Sequence, residues 1–544
     1  MSRLQEEQVA DLVAKFKRGS ITRREFIAAV SVLGGLTAAG GTIATLLKSS
    51  GLRGSLTGPV PAAAAGMPKR GGTLTAATID KPVNMDPAFA ELYSSMQVYQ
   101  NIFSKLVYVD RNYKFVPGLA KSWRQVNATT WEFDLVDNAW FHNGDKFSAA
   151  DVKYTFDRLF DKKLGAANAV FFTPTEGVEV VNQTRVRIVT KPNWGGLIPT
   201  LAAVLEVVNK RAIESADPKL QPVGTGPFRF LEWVKDDHIT LERWDKYFKP
   251  GMPPLDRVIF KAIANDTVRL TGLQKGEINW IEQVPLQMVD QLKKAGAIKA
   301  NPNGAFFPDL FLINCTKPPF DKVEVRQALS WALDRKAIAR LVWFGQAMPS
   351  AEALAPTNPL YSGVDPYEGA PNVAKAKALL AKAGYPQGLK AIFAAQPQVP
   401  TQVQVGQLIQ QMTKQAGIDI EVRSFESARW FEELATKRYD FTSTYWSATL
   451  DPEHCYFPLG HSQSPWNFAG YKDEQLDRAL EKFRFTVDPV ERKKAYAEVV
   501  RLTALGAPVV FQVNFLRTYW TQSNVEGVAT LPSLELRMED AWYA

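Results

Sequence analysis

Asp451, His454, Cys455 and His461 form the chain's only compact group of potential metal ligands, and two of its four histidines stand in it. Carboxylate, imidazole and thiolate suit zinc-like ions, and the first three residues could share one helical turn. Their spacing matches no established zinc pattern, so no metal is expected. The plainer reading is that Asp451 caps a helix while His454 and Cys455 pack or face solvent. Different chemistry lies just upstream, in Trp446-Ser447-Ala448-Thr449-Leu450. An indole face beside the hydroxyls of Ser447 and Thr449 can hold a small solute by stacking and hydrogen bonding. A core tryptophan next to an ordinary turn would look the same. His142, in Phe141-His142-Asn143-Gly144, reads as a turn residue rather than a base. No G-x-S-x-G, P-loop, H-E-x-x-H or G-x-G-x-x-G pattern occurs, so no catalytic residue or cofactor is expected.

Both groups hang on one strand and one helix. Phe441–Trp446 reads as a buried strand, and Asp451-Pro452 as an N-cap followed by proline at the first helical position. The link between them is then a strand-to-helix connection of an α/β fold, and ligands of open α/β sheets sit outside such strand ends. Earlier in the chain, Gly72–Thr78 and Trp131–Leu135 read as strands and Leu92–Leu106 as a helix. Ser148-Ala149-Ala150-Asp151 is a capping box opening a helix through Phe160.

A chain of 544 residues is too long for one core and should fold as two or three lobes. With 46% hydrophobic and 22% charged residues it is not generally disordered. The net charge of +8 gathers in no long basic run, so it reads as solvated surface and nucleic acid is not an expected partner. Cys315 and Cys455 are the only cysteines, and their pairing stays open, because Cα separation decides it.

Near the N-terminus, Thr22-Arg23-Arg24-Glu25-Phe26-Ile27 precedes a weakly apolar, glycine-rich run over 28–47. This resembles the twin-arginine export signal, with Arg23, Arg24 and Phe26 at its marked positions. Ala63–Ala65 offers an A-x-A cleavage site. The expectation is that residues 1–65 guide the chain through the twin-arginine translocase and are then removed, leaving a soluble periplasmic protein. The alternative is an uncleaved anchor, since 28–47 could cross roughly 30 Å of hydrocarbon. No cysteine follows the apolar run, so a lipoprotein is not expected.

A longer resemblance runs from about residue 70 to the end. VPGLAKSW (116–123), WEFDL (131–135), FHNGDKFSAADV (141–152) and Gly224-Thr225-Gly226-Pro227-Phe228 follow one another. Arg243-Trp244-Asp245-Lys246-Tyr247, Val325-Arg326-Gln327-Ala328-Leu329 and Asn372–Gly384 continue the series. This order is similar to the family 5 extracellular solute-binding proteins of ABC importers, the dipeptide, oligopeptide and nickel-binding group. The resemblance implies an α/β, two-lobed periplasmic-binding-protein-like fold (type II, cluster C) with an extra subdomain inserted in the first lobe. Carried onto this chain, the first lobe holds 66–110, 192–307 and 514–544, the insert 111–191, and the second lobe 308–513, with crossovers at Phe306–Asn314 and Val509–Phe515. The implied activity is capture of a small solute between the lobes and its delivery to the transmembrane subunits of an ABC permease, as in peptide transport, by a monomer.

The resemblance also marks a departure. Peptide-binding members hold the ligand's amine on an Asp three positions after the pocket Trp, where this chain has Thr449. Dipeptide members hold the carboxylate with an Arg in a loop that here reads Gln396-Pro397-Gln398-Val399, and Ala391–Thr413 carries no charge. Enclosing an unpartnered charge costs several kcal/mol, so a neutral hydroxyl- or amide-rich ligand, such as a short oligosaccharide, is expected beside Trp446, Gln396 and Gln398. The glutamines could equally be a solvated loop. Nickel-chelate-binding members use a Trp at the Trp446 position and a Met near Met96, but Leu450 replaces their tyrosine. Tyr93 and Met85 are further candidates on the same wall. The competing reading is a twin-arginine-exported enzyme or metal-binding protein built on Asp451, His454, Cys455 and His461.

Overall fold

The computed structural model describes residues 68–89, 93–301, 306–368, 371–446 and 450–544. Arg23, Arg24, Phe26, the Ala63–Ala65 site, Ser447 and Thr449 lie outside the described residues. The chain opens with β1 (Thr73–Thr78), then β2 (Val107–Val109), β3 (Phe115–Pro117), β4 (Ala120–Asn127), β5 (Thr130–Leu135), β6 (Thr175–Asn182) and β7 (Arg185–Thr190). It continues with β8 (Phe228–Val234), β9 (His238–Arg243), β10 (Arg257–Ala262), β11 (Trp280–Glu282) and β12 (Ile298–Asn301). Next come β13 (Phe306–Ile313), β14 (Ala347–Pro349), β15 (Leu389–Ala395), β16 (Ile418–Ser424), β17 (Phe441–Tyr445), β18 (Val509–Leu516) and β19 (Tyr519–Gln522).

Two mixed sheets organise these strands. The first has seven strands in the order β12-β19-β11-β1-β10-β9-β8, with β11, β1 and β10 mutually parallel at its centre. The second has six in the order β14-β18-β13-β17-β15-β16, with β15 parallel to both β16 and β17. Strands covered on both faces need near-continuous apolar runs, and β13 (FFPDLFLI) and β15 (LKAIFAA) have them. A separate four-stranded antiparallel sheet, β4-β5-β7-β6, packs on the helix Ala149–Leu159. That helix starts at the expected capping box: Ser148 Oγ accepts from Ala150 N–H, and Asp151 accepts from Ser148 N–H.

The two large sheets are joined twice. The chain enters the second through β13 and leaves it through β18, which pair antiparallel from Phe306↔Leu516 to Leu312↔Val509. From β18 only Arg517 and Thr518 intervene before β19 in the first sheet. Each lobe has its own aromatic core. Phe311, Phe393 and Phe441 meet edge to face in the second, and Trp280 stacks on Tyr519 in the first. Burying each such ring contributes about 2–3 kcal/mol.

Two expectations at element ends are corrected. The helix read over Leu92–Leu106 is Tyr93–Tyr99. Beyond it the carbonyls of Asn101 and Ile102 accept from Phe228 N–H and Gly226 N–H rather than from a further helical turn. The helix after the Trp446 loop begins at Glu453, one residue later than expected, although Asp451 Oδ1 still accepts from Glu453 N–H as a cap does.

Candidate functional site

The parallel strands set the geometry. β1 ends at Thr78 and β11 at Glu282 in the first sheet; β15 ends at Ala395 and β17 at Tyr445 in the second. The ends of β1, β11 and β17 come together at the crossover. Trp446 N–H donates to Pro308 O at 3.1 Å, and Tyr445 stands opposite Asp309 in the β13 register. On the other side Gln283 N–H donates to Thr518 O at 3.0 Å, and Arg517 Nε lies 2.8 Å from Glu282 Oε1. The seam between the lobes therefore runs from Glu282 past Arg517 to Tyr445 and Trp446.

Aromatic rings line it. Tyr93 sits edge-on to Phe307 at 6.2 Å, Phe307 edge-on to Tyr445 at 6.1 Å, and Phe515 stacks on Phe307 at 5.5 Å. The Tyr445 ring remains 43% exposed at the end of its strand. Trp446 is half-buried and fixed in orientation: its Nε1 donates to His454 O at 2.9 Å, and its ring meets Trp466 at 5.8 Å. Such faces suit an apolar or planar part of a solute. The Tyr93 hydroxyl is 2.7 Å from that of Tyr519 and donates to Leu534 O, and burial pushes its pKa up, so it stays protonated.

The remaining sequence candidates divide. Gln396 is buried, its N–H on Gln402 Oε1 and its Nε2 on Ser427 Oγ, so it is not a solvated loop residue. Gln398 is exposed and reaches the same Ser427 hydroxyl. Met85 and Met96 sink into the first-lobe core beside Leu74, Val98 and Phe260. Leu450 is buried in the apolar cluster of Trp194, Leu197 and Leu201. Of these candidates Tyr93 and Trp446 are the ones the fold gathers at the seam, beside Tyr445, which the sequence did not single out.

The metal cluster comes apart. Asp451 is bound by Arg492 at 2.6 and 3.2 Å; burial opposes ionisation, but the guanidinium holds its carboxyl below the usual range. His454 Nε2 meets Thr200 Oγ1 at 2.9 Å, and burial pushes its imidazole pKa down. Cys455 is fully buried, which pushes its thiol pKa up, and His461 Nε2 stands 3.7 Å from Glu481. Among the described residues no group of three or more His, Cys, Asp or Glu is placed to hold a metal. The cysteines are free thiols. His142 sits in its turn with Nε2 on Gly226 O.

Sequence reasoning missed three charged groups. Asp309, in mid-β13, is buried with Ser443 Oγ on its carboxylate at 2.6 Å. Burial pushes its pKa up to about 7, against hydrogen bonds from Ser443 and Leu310 N–H. Glu282 and Arg517 are the others. An uncharged wall holds for 391–413 but not beneath Tyr445. The available signal was an arginine inside an aromatic run, Phe515-Leu516-Arg517-Thr518-Tyr519-Trp520.

Two α/β lobes joined by paired crossover strands, with an aromatic seam between their strand ends, define a two-lobed solute receptor. The chain belongs to the bacterial extracellular solute-binding proteins, family 5, whose middle-region model matches residues 114–467. Members bind small solutes and hand them to ABC permeases. A glutathione-binding protein of Pectobacterium atrosepticum is 27% identical over 474 residues, 84% of this chain and 91% of that protein. Among solved structures, the periplasmic binding protein AgaA of A. tumefacien R10, in complex with agropinic acid, has a TM-score of 0.77 at 27% identity, covering 87% of this chain and 99% of that one. DppA of Helicobacter pylori, in complex with the peptide STSA, has a TM-score of 0.76 at 25% identity over the same shares. These relatives are transport receptors rather than enzymes. No described helix is long and apolar enough to cross a membrane.

Proposed function

We propose that this receptor encloses its solute at the seam bounded by Tyr93, Phe307, Tyr445 and Trp446, with Gln396 and Gln398 on the second-lobe side and the hydroxyls of Ser447 and Thr449 as further solute contacts. The observation that carries the reading is the meeting of strand carboxyl ends from both sheets at the paired crossovers. The lobes follow the divisions 66–110, 192–307 and 514–544 against 308–513, with 111–191 inserted, and close by bending at the crossovers. The protein catalyses no reaction of its own, leaves the cell interior through the twin-arginine translocase, loses residues 1–65, and works as a soluble periplasmic monomer.

Titration calorimetry and small-angle scattering test this together. A bound solute should compact the protein, and Trp446→Ala should weaken binding by about 2 kcal/mol or more through lost stacking. Unchanged affinity in that variant, with Trp446→Phe as the folding control, would place the solute elsewhere. Replacing Arg23 and Arg24 with lysine should hold the unprocessed precursor inside the cell; normal export would refute the assigned route.

A further inference from the structure

Arg517 is only 6% exposed, yet its Nε and Nη1 complete no hydrogen bond. Glu282 Oε1 stands 2.8 Å from Nε and pairs with that side of the guanidinium as an ion pair, while Nη1 faces no partner among the described residues. A buried guanidinium donor without an acceptor is costly, so Nη1 leaves room for one more acceptor. The surroundings say where that acceptor comes from. The Arg517 head lies 4.7 Å from the Tyr93 ring centre, 5.3 Å from Phe307 and 5.9 Å from the half-exposed Tyr445, against the seam.

Charge favours an anion. Glu282, 2% exposed, is the chief opposing charge for both Arg517 and Arg269, which is also buried. One buried negative charge thus serves two buried positive ones. Arg269 spends its donors on the carbonyls of Ile263, Ala264 and Glu282, whereas Arg517 has donors to spare.

We propose that Arg517 anchors a carboxylate of the solute, so that the receptor takes small organic acids of the peptide or amino-acid-conjugate kind and discriminates against neutral sugars. This rests on the seam being the solute site. The carboxylate would lie end-on to the guanidinium, between the rings of Tyr93 and Tyr445, with its apolar remainder running toward Trp446.

The mature chain is titrated with matched probes: trialanine and its C-terminal amide, reduced glutathione and its diethyl ester, and maltotriose as the neutral control. Binding is read by calorimetry, and closure by scattering. The free acids should bind at least about tenfold more tightly than the amide or ester. Arg517→Gln should erase most of that ratio and Arg517→Lys restore part of it. Should either variant fail to fold, the acid-to-amide comparison on the unaltered protein decides alone. Neutral forms binding as tightly as acids, with compaction, would overturn the Arg517 assignment and leave the receptor reading standing. An acid preference that survives Arg517→Gln overturns it too. No binding and no compaction with any probe would overturn both.

Discussion

Asp309 shows what a single buried carboxyl does to a crossover strand. It ionises near 3.8 in the unfolded chain but only near 7 in the fold. Below about pH 4 both states are protonated and the group costs nothing. As pH rises from about 4 to 7 the unfolded state loses its proton first, so stability falls. Above 7 the full penalty, on the order of 4 kcal/mol, is in place. Asp309→Asn keeps the shape and an acceptor for Ser443, so it should flatten this slope. Denaturant unfolding at pH 5 and pH 8 measures it; a variant as pH-sensitive as the parent would refute the assignment. Asp309 was invisible in the sequence, because an aspartate within FFPDLFLI gives no hint of the bulge between Asp309 and Leu310 or of its Ser443 partner. Tyr93 and Trp446 were singled out in the sequence, and both stand at the seam in the fold.

At the scale of elements, the loop Gly224–Phe228 decides where the first helix stops. A Cβ on Gly226 would lie 2.6 Å from the carbonyl carbon of Ile102, and backbone at that distance has no room to yield. Gly226→Ala should therefore cost about 1–3 kcal/mol by overpacking, read as a lowered unfolding midpoint with an unchanged denaturant slope. A neutral effect would mean the 101–103 turn can shift. Local pattern placed the strand at Phe441, the capping box at Ser148 and the strand at Thr130–Leu135 within a residue or two. It overran the first helix by seven residues at its C-terminal end (Leu106 against Tyr99), because the competing hydrogen bonds come from 124 and 127 residues downstream.

Across the whole molecule, the helix Glu453–Gly460 and the segment Trp194–Thr200 form a clasp beside the seam, where Trp446 Nε1 donates to His454 O. Trp194 Nε1 donates to Glu453 at 3.1 and 3.3 Å, Gly195 N–H to Arg484 O at 3.0 Å, and His454 meets Thr200. Glu453 is held in turn by Arg484 at 2.6 Å. On the proposed lobe divisions these contacts cross from the first lobe to the second, and so add to closure whether or not a solute is present. Trp194→Phe removes one charge-assisted hydrogen bond while keeping most of the packing, so about 1–2 kcal/mol of closed-state preference should be lost. The ligand-free protein should then scatter as a larger particle and bind solute about 5–30-fold more weakly. An unchanged radius of gyration and affinity would mean the clasp is part of one rigid body.

The sequence by itself determined the α/β class, the family, the aromatic candidates and the lack of catalytic motifs, because strand runs, caps and ordered motifs are local or pairwise patterns in the chain. Only the tertiary structure decided which charges meet. Arg492 reaches back 41 residues to Asp451, and Arg517 reaches 235 to Glu282, dissolving a metal cluster and placing a cation in a wall that looked neutral. Burial and long-range pairing set the state of an ionisable group, and neither is written in its neighbours along the chain.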